Sequence, residues 1–571
     1  MASGKNKSLI RKILIIIIAL ILIVIIGFQV YITKYLPPMV KSRLSNVIVE
    51  GSDSLYKFEL GKIEVNFWSG NVKLSNLHIS IDSNRYQQMK DARNLPPLTM
   101  DLSLPEANIS GLKVWKLIFY KEIEIREIDL LAADVKLARH FRTTDTISSN
   151  DEPLWKLIQP DIKKISIDNI ICANLKVNYQ NVDSAKSFRW QLDKCNFIVT
   201  NVKVDSVSAK DSTRLLFSKN IALAADDMKL KTPDGLYNLA AKKIQYSSSV
   251  GKMELKDFTF LPAVSEGEIK NYFGIQHEIY KIKVPVLTFH NFLLPQWISN
   301  NKLQIDTVTL ASPSIALELD RNMPANVKSK KGGYPNQLLQ KAPFVIKVKR
   351  MNVTNATLSY SEKSNTTGLT GKIVFPSLRG TLDNITNDRA AIAQSAQCIV
   401  RINGSVIKTG TINAVFNFSL TDKKGAFTVQ STVTNLTAAQ LQPIFRPMTG
   451  VDLQSFNMKR LDYTINGNED RGTGDLQMKY DEMDILINKV SADKKMEKKG
   501  LLSFVANRLL IYKENPSKDG EERKAHGITV QRDATRSFFN LVWKTLFTAS
   551  GEIVLRPLAQ KRIEKSKQKK R

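Results

Sequence analysis

From residue 50 onward the apolar residues of this chain recur mostly at every second position, and few stretches carry the three-to-four spacing of a helix. One fifteen-residue pattern occurs four times. Ile123, Ile125, Ile128, Leu130, Ala133, Val135 and Leu137 are separated by polar residues such as Glu124, Arg126, Glu127 and Asp134. The same offsets reappear as Leu303, Ile305, Val308, Leu310, Pro313, Ile315 and Leu317, and as Ile346, Val348, Met351, Val353, Ala356, Leu358 and Tyr360. A looser copy runs Ile165, Ile167, Ile170, Cys172, Leu175, Val177 and Tyr179.

The spacing of these copies carries more than their existence. From 123 to 303 is 180 residues and from 165 to 346 is 181. The same shift takes Leu55, Tyr56, Ile63, Val65, Gly70, Val72 and Leu74 onto Leu236, Tyr237, Ile244, Tyr246, Gly251, Met253 and Leu255, and Pro105 onto Pro285. Chance alternation does not hold one offset to within a residue over about 120 positions, so an internal duplication is expected, 50–226 and 227–395. A β-rich region, 396–555, follows.

Each copy reads as a long strand, apolar on one face and polar on the other, in an antiparallel sheet with one wet face. The paired polar residues at Arg126-Glu127 break the alternation without a turn dipeptide, which predicts a bulge that bends the strand there. Strands alternate again over 399–416, 427–433 and 456–465. Two short helices are expected, 438–445 and 537–547, the second with Asp533 or Ser537 as N-cap and Gly551 as its stop. Packing on the sheet is the plainer role for the second helix, and a membrane- or partner-facing role the sharper one.

A one-faced sheet must cover its apolar face with a second sheet, by closing, or by curling into a trough that takes acyl chains. The candidate residues for such a trough are Ile63, Val65, Val72, Leu74, Ile123, Ile125, Ile128, Leu130, Ile244, Met253, Leu255, Leu303, Ile305, Val308, Leu310, Ile346, Val348, Met351 and Val353. A filled core without ligand fits the same pattern.

Ahead of the β body, 13–33 holds no charged residue, and 13–28 is almost wholly Ile, Leu, Val and Ala. About 20 such residues span a bilayer core as a helix, which predicts a retained single-pass anchor. Lys5, Lys7, Arg11 and Lys12 precede it without an acid among them, so 1–12 is expected in the cytoplasm. The net charge of +29 draws the chain toward anionic partners, and 556–571 is a basic tail. Nucleic acid is not expected as a partner, because the aromatics fall on the apolar side rather than among the cations.

An anchor followed at once by Ile63-Glu-Val65, Gly70-Asn-Val72-Lys-Leu74-Ser-Asn-Leu77-His-Ile79 and Ile109-Ser-Gly-Leu112-Lys-Val114 resembles the start of AsmA-like proteins. The stretch 427–487, with Asn435-Leu436 and a Gly472-Thr473-Gly474-Asp475 turn, resembles that family's terminal region. The resemblance implies a mainly β, groove-forming body, fixed in the inner membrane of a Gram-negative envelope and projecting into the periplasm. It also implies lipid transport and outer-membrane biogenesis, with membrane lipids and other envelope proteins as partners. A non-enzymatic assembly scaffold with a packed core is the alternative.

No catalytic chemistry is expected. His78, His140, His277, His290 and His526 are dispersed, no two at metal-ligand spacing, and neither a nucleophile elbow nor a phosphate loop occurs. No cofactor or metal is expected. Cys172, Cys195 and Cys398 are too few for a disulfide framework, although a Cys172–Cys195 bridge stays open.

Overall fold

The computed structural model describes residues 34–560 apart from 141–161, 183–188, 491–495, 499–509 and short gaps at 35–37, 40, 43, 47, 67, 93, 97, 212–213, 215–216, 295, 298–300 and 558. The expected anchor at 13–33, the residues before it and the tail beyond 560 lie outside the described residues. Among those described, no helix is long and apolar enough to cross a membrane. The chain divides into two compact units, Met1–Asp234 with Ala241–Ser249, and Gly235–Ala240 with Val250–Arg571.

The fold is mainly β, as the period-two pattern predicts. The first eight strands are β1 Tyr56–Asn66, β2 Asn71–Ile81, β3 Leu98–Ser110, β4 Glu122–Leu131, β5 Asp134–Arg139, β6 Lys164–Asn181, β7 Arg189–Val204 and β8 Asn220–Lys231. Their order recurs as β9 Tyr237–Ser247, β10 Lys252–Pro262, β11 Ile279–His290, β12 Lys302–Ala311, β13 Ser314–Asp320, β14 Val345–Lys363, β15 Thr370–Thr386 and β16 Gln397–Val406. After them come β17 Gly410–Ser419, β18 Phe427–Thr437, β19 Val451–Gly467, β20 Arg471–Val490, β21 Met496–Lys498 and β22 Lys524–Gln531.

The recurrence extends to backbone detail. Left-handed residues fall at Gly70 and Gly251, Asn76 and Asp257, Lys121 and Asn301, Ala132 and Ser312, and Asn174 and Asn355. Each pair is 180 or 181 residues apart. The Tyr56 hydroxyl accepts the Met100 N–H at 3.2 Å, and the Tyr237 hydroxyl accepts the Tyr280 N–H at 3.4 Å.

The sheet is mixed, not antiparallel throughout. β6 runs parallel to β4 and β5, and β14 parallel to β12 and β13. Long β3 lies antiparallel to both β4 and β5 on their other side, as β11 does to β12 and β13. A parallel neighbour requires a long crossover. Residues 321–344, which include the helix Pro335–Gln340, supply it between β13 and β14. This pairing explains why the fifteen-residue pattern occurs in twos. Ile123, Ile125 and Ile128 sit beside Ile165, Ile167 and Ile170, and Leu303, Ile305 and Val308 beside Ile346, Val348 and Met351.

The bulges are not at Arg126-Glu127. Pairing stays one-to-one there, with Ile125 opposite Ile167 and Glu127 opposite Asn169. A bulge needs a surplus residue on one strand, and β6 carries the same polar doublet (Asp168-Asn169), so neither strand has one. The register shifts lie further on, between Cys172 and Leu175 in β6 and between Val353 and Ala356 in β14, at left-handed Asn174 and Asn355. Each is compensated on the next strand, where Lys194 and Ser377 are left-handed in turn. At the same level β4 stops before left-handed Ala132 and β12 before Ser312, so those two copies of the expected long strand are interrupted, whereas the copies in β6 and β14 run through as single strands. Pro105 and Pro285 fall opposite Asn76 and Asp257 on this line, where a strand tolerates a residue without an N–H.

Two helices run further than expected, Ala438–Thr449 and Phe538–Val554. The second begins at Ser537 but passes through Gly551, because Ala549 and Ile553 are buried and tertiary packing outweighs the low helix propensity of one glycine. Gly472 and Gly474 form no turn. They lie inside β20, and the turn is Asn468–Asp470.

Candidate functional site

The register aligns apolar residues into rows that cross whole sets of strands. In the first unit Val65 faces Val72, then Ile109, Ile128, Ile170, Val199 and Ile221 follow, each opposite the last, across seven strands. A neighbouring row runs Ile63, Leu74, Ala107, Leu130, Cys172, Phe197 and Leu223. In the second unit Met253, Phe289, Val308, Met351, Leu382, Val400, Phe416, Val429 and Ile465 form one row that ends on Gly474. One-faced strands in register make a continuous apolar surface wherever cross-strand neighbours match in polarity.

Burial along the rows is uneven. In the first-unit row only Ile221 is buried, and the other six are half-buried. In the second unit Val308 is buried and Met253, Phe289, Met351, Leu382, Val400 and Phe416 are half-buried, whereas Val429 is 0% and Ile465 1% exposed. The change falls where helices cover the sheet. Phe538 and Leu541 pack with Phe418, Phe427, Val429 and Ile465, and a Cβ on Gly474 would come 2.8 Å from the Thr545 methyl. Gly371 likewise lets the helix Ala438–Thr449 approach, since a Cβ there would lie 3.0 Å from Ile444 and Met448. Together with a second cluster around Leu436, Met458, Met478, Ile511 and Ile553, this end of the sheet has a filled core.

Of the residues singled out in the sequence, Ile125, Ile244, Leu255, Ile305, Val308 and Val348 are buried. Ile63, Val65, Val72, Leu74, Ile123, Ile128, Leu130, Met253, Leu303, Leu310, Ile346, Met351 and Val353 are half-buried. Sequence reasoning missed the row members on β7, β15 and β16, such as Val199, Leu382 and Val400. Their alternation was present, but only the register ties them to the others.

The opposite face is polar and internally paired. Asp383 takes Arg350 at 2.7 Å and Arg401 at 2.8 Å, and Lys73 meets Glu106 at 2.9 Å. A hydrogen bond from Asn108 and another from Lys73 hold the Glu106 carboxyl below its usual range. A cleft of about 600 Å³ on that face is lined by side chains such as Asn413, Gln430, Thr432 and Asp462. Asp462 is already held by Arg460 and Thr432.

The three cysteines are free thiols. Cys172 lies within a row opposite Phe197, and Cys195 faces Leu175. Burial pushes the Cys195 thiol up to about 11, and the neighbouring Cys172 adds to it. A thiol held protonated in this way is a poor nucleophile. Among the described residues no cluster of His, Cys, Asp or Glu could hold a metal ion. No protein-family model matches the chain, and no curated protein matches it.

Proposed function

We propose that this chain binds or conducts phospholipid acyl chains along its apolar rows, as an AsmA-like envelope protein supporting lipid transport and outer-membrane biogenesis. In this reading 13–33 anchors it in the inner membrane, the N-terminus is cytoplasmic and the β body periplasmic. The partners are membrane lipids and other envelope proteins, and no catalysis is involved.

The observation that carries the proposal is the half-burial of Val65, Val72, Ile109, Ile128, Ile170 and Val199 in one unbroken row. Apolar residues in register and half-covered leave apolar area to be removed from water, and a lipid tail is a flexible means of removing it. Each buried CH₂ contributes about 0.8 kcal/mol, so one acyl chain gains on the order of 10 kcal/mol before its ordering is counted. The row serves any tail equally and names no headgroup. The filled C-terminal core favours a second role for that region, as a packed scaffold for a protein partner.

Native mass spectrometry of the detergent-extracted full chain tests the proposal. Bound phospholipid is expected on the wild type and depleted by Ile128→Asp with Met351→Asp. A folded wild type that carries no more lipid than this variant contradicts it.

A further inference from the structure

The helix Phe538–Val554 buries one face and leaves a second apolar stripe outside. Phe538, Leu541, Thr545, Ala549 and Ile553 are buried on the sheet side. Phe539, Trp543 and Phe547 follow each other at four-residue spacing on the outer side and are 64%, 54% and 51% exposed. The Trp543 and Phe547 rings lie 6.4 Å apart, so the stripe is continuous at that end. Solvated helices normally turn polar residues outward. Three large aromatics in a row on the free face therefore call for an occupant.

Charge identifies its chemistry. No acidic residue occurs from Ala534 to Gly551, and Lys544 sits beside Trp543. Lys561–Arg571 then carries seven basic residues against a single Glu564. We infer that this helix makes a contact with an anionic phospholipid bilayer surface, additional to the expected anchor at 13–33, and that the contact depends on the positive charge carried by the sequence after it. Aromatic rings settle at the headgroup boundary, and a lysine beside them keeps its ammonium in water while its stem lies on the apolar layer. Each cation near an anionic surface adds to the attraction, and stable peripheral binding takes apolar insertion and charge together. A second copy of the chain is a poor occupant, because joining two stripes would bring two basic segments together. The inference does not depend on the apolar rows holding acyl chains, since Trp543 faces away from the sheet.

The test uses the full chain reconstituted in vesicles of phosphatidylcholine with phosphatidylglycerol, made with ordinary or brominated acyl chains. Subtracting the emission of Trp543→Phe isolates Trp543 from the other five tryptophans. Bromination is expected to quench that emission about twofold, and Phe539→Ser with Phe547→Ser, or Lys561→Gln with Lys565→Gln, Lys567→Gln, Lys569→Gln and Lys570→Gln, to reverse the effect. Trp543 emission indifferent to brominated lipid, whether from exposure to water or from shielding by a protein partner or a second copy, overturns the inference. Quenching that persists unchanged without the basic residues also overturns it. Lipid retained by the rows moves neither readout, so failure here and failure of the acyl-chain proposal are distinguishable.

Discussion

Gly474 and Thr545 meet where the helix Phe538–Val554 closes over the sheet, so tightly that a Cβ on Gly474 would lie 2.8 Å from the threonine methyl. The Thr545 hydroxyl is already committed to the Leu541 carbonyl at 2.9 Å, so the side chain is not free to swing aside. Gly474→Ala is expected to destabilise the protein by about 1–3 kcal/mol through overpacking. Thr545→Ala in the same chain should recover part of that loss, a coupling that urea unfolding of the single and double variants would reveal. Strictly additive losses would mean that the two residues do not limit each other.

Asn355 is exposed, yet its backbone is left-handed with φ 51° at the point where β14 gains its surplus residue. Its side chain reaches the Ser312 hydroxyl at 3.3 Å. Asn355→Val should cost about 1–2 kcal/mol, because a β-branched residue is strained in this conformation, while Asn355→Gly should cost much less. Asn174, at the matching place in β6, should give the same ranking in denaturant unfolding. Equal costs for Val and Gly would remove the bulge from the account.

Asp320 supplies a pH dependence. Burial alone would raise its carboxyl, but the Asn322 backbone and side-chain amides and the Lys270 ammonium outweigh that and bring it down to about 2. A depressed carboxyl stabilises the fold at pH values above its unfolded value near 3.9, and the contribution is lost as pH falls through the folded value. The stability gap between the wild type and Asp320→Asn should therefore be full at neutral pH and close between about pH 4 and pH 2. A gap independent of pH over that window would show that the carboxylate charge is not what matters.

A half-buried row residue and a fully buried one should answer differently to a charge. Val429 is completely buried beneath the helix, and Val429→Asp should cost about 3–5 kcal/mol, enough to threaten folding. Ile128 is half-buried, so the carboxylate in Ile128→Asp stays hydrated and the melting temperature should fall much less. Thermal unfolding followed by circular dichroism compares them.

Much of this architecture can be read from residue spacing, and the unread parts share a cause. Period-two alternation marked the strands, and the 180-residue offset marked positions that prove alike down to the hydroxyls of Tyr56 and Tyr237. Alternation is, however, the same for parallel and antiparallel neighbours. The parallel pairing of β4 with β6 was hidden although the likeness of Ile123–Leu130 to Ile165–Cys172 carried its trace. The doublet Arg126-Glu127 makes no bulge because a bulge depends on the difference between two strands, and Asp168-Asn169 cancels it. Gly472 and Gly474 were read as a turn because the helix that needs their missing side chains lies some seventy residues further along. The candidate face was legible residue by residue. Its division into a half-covered stretch and a filled end was not, since that depends on which strands the two helices cover.

If lipid lies on the half-buried rows and not on the polar face, photo-crosslinking in intact cells will find it there, with benzoylphenylalanine placed singly at Ile128, Met351 and the exposed polar-face residue Lys349. Phospholipid adducts are expected at Ile128 and Met351 and not at Lys349. Adducts absent from both row positions, or equally abundant at Lys349, would contradict the account.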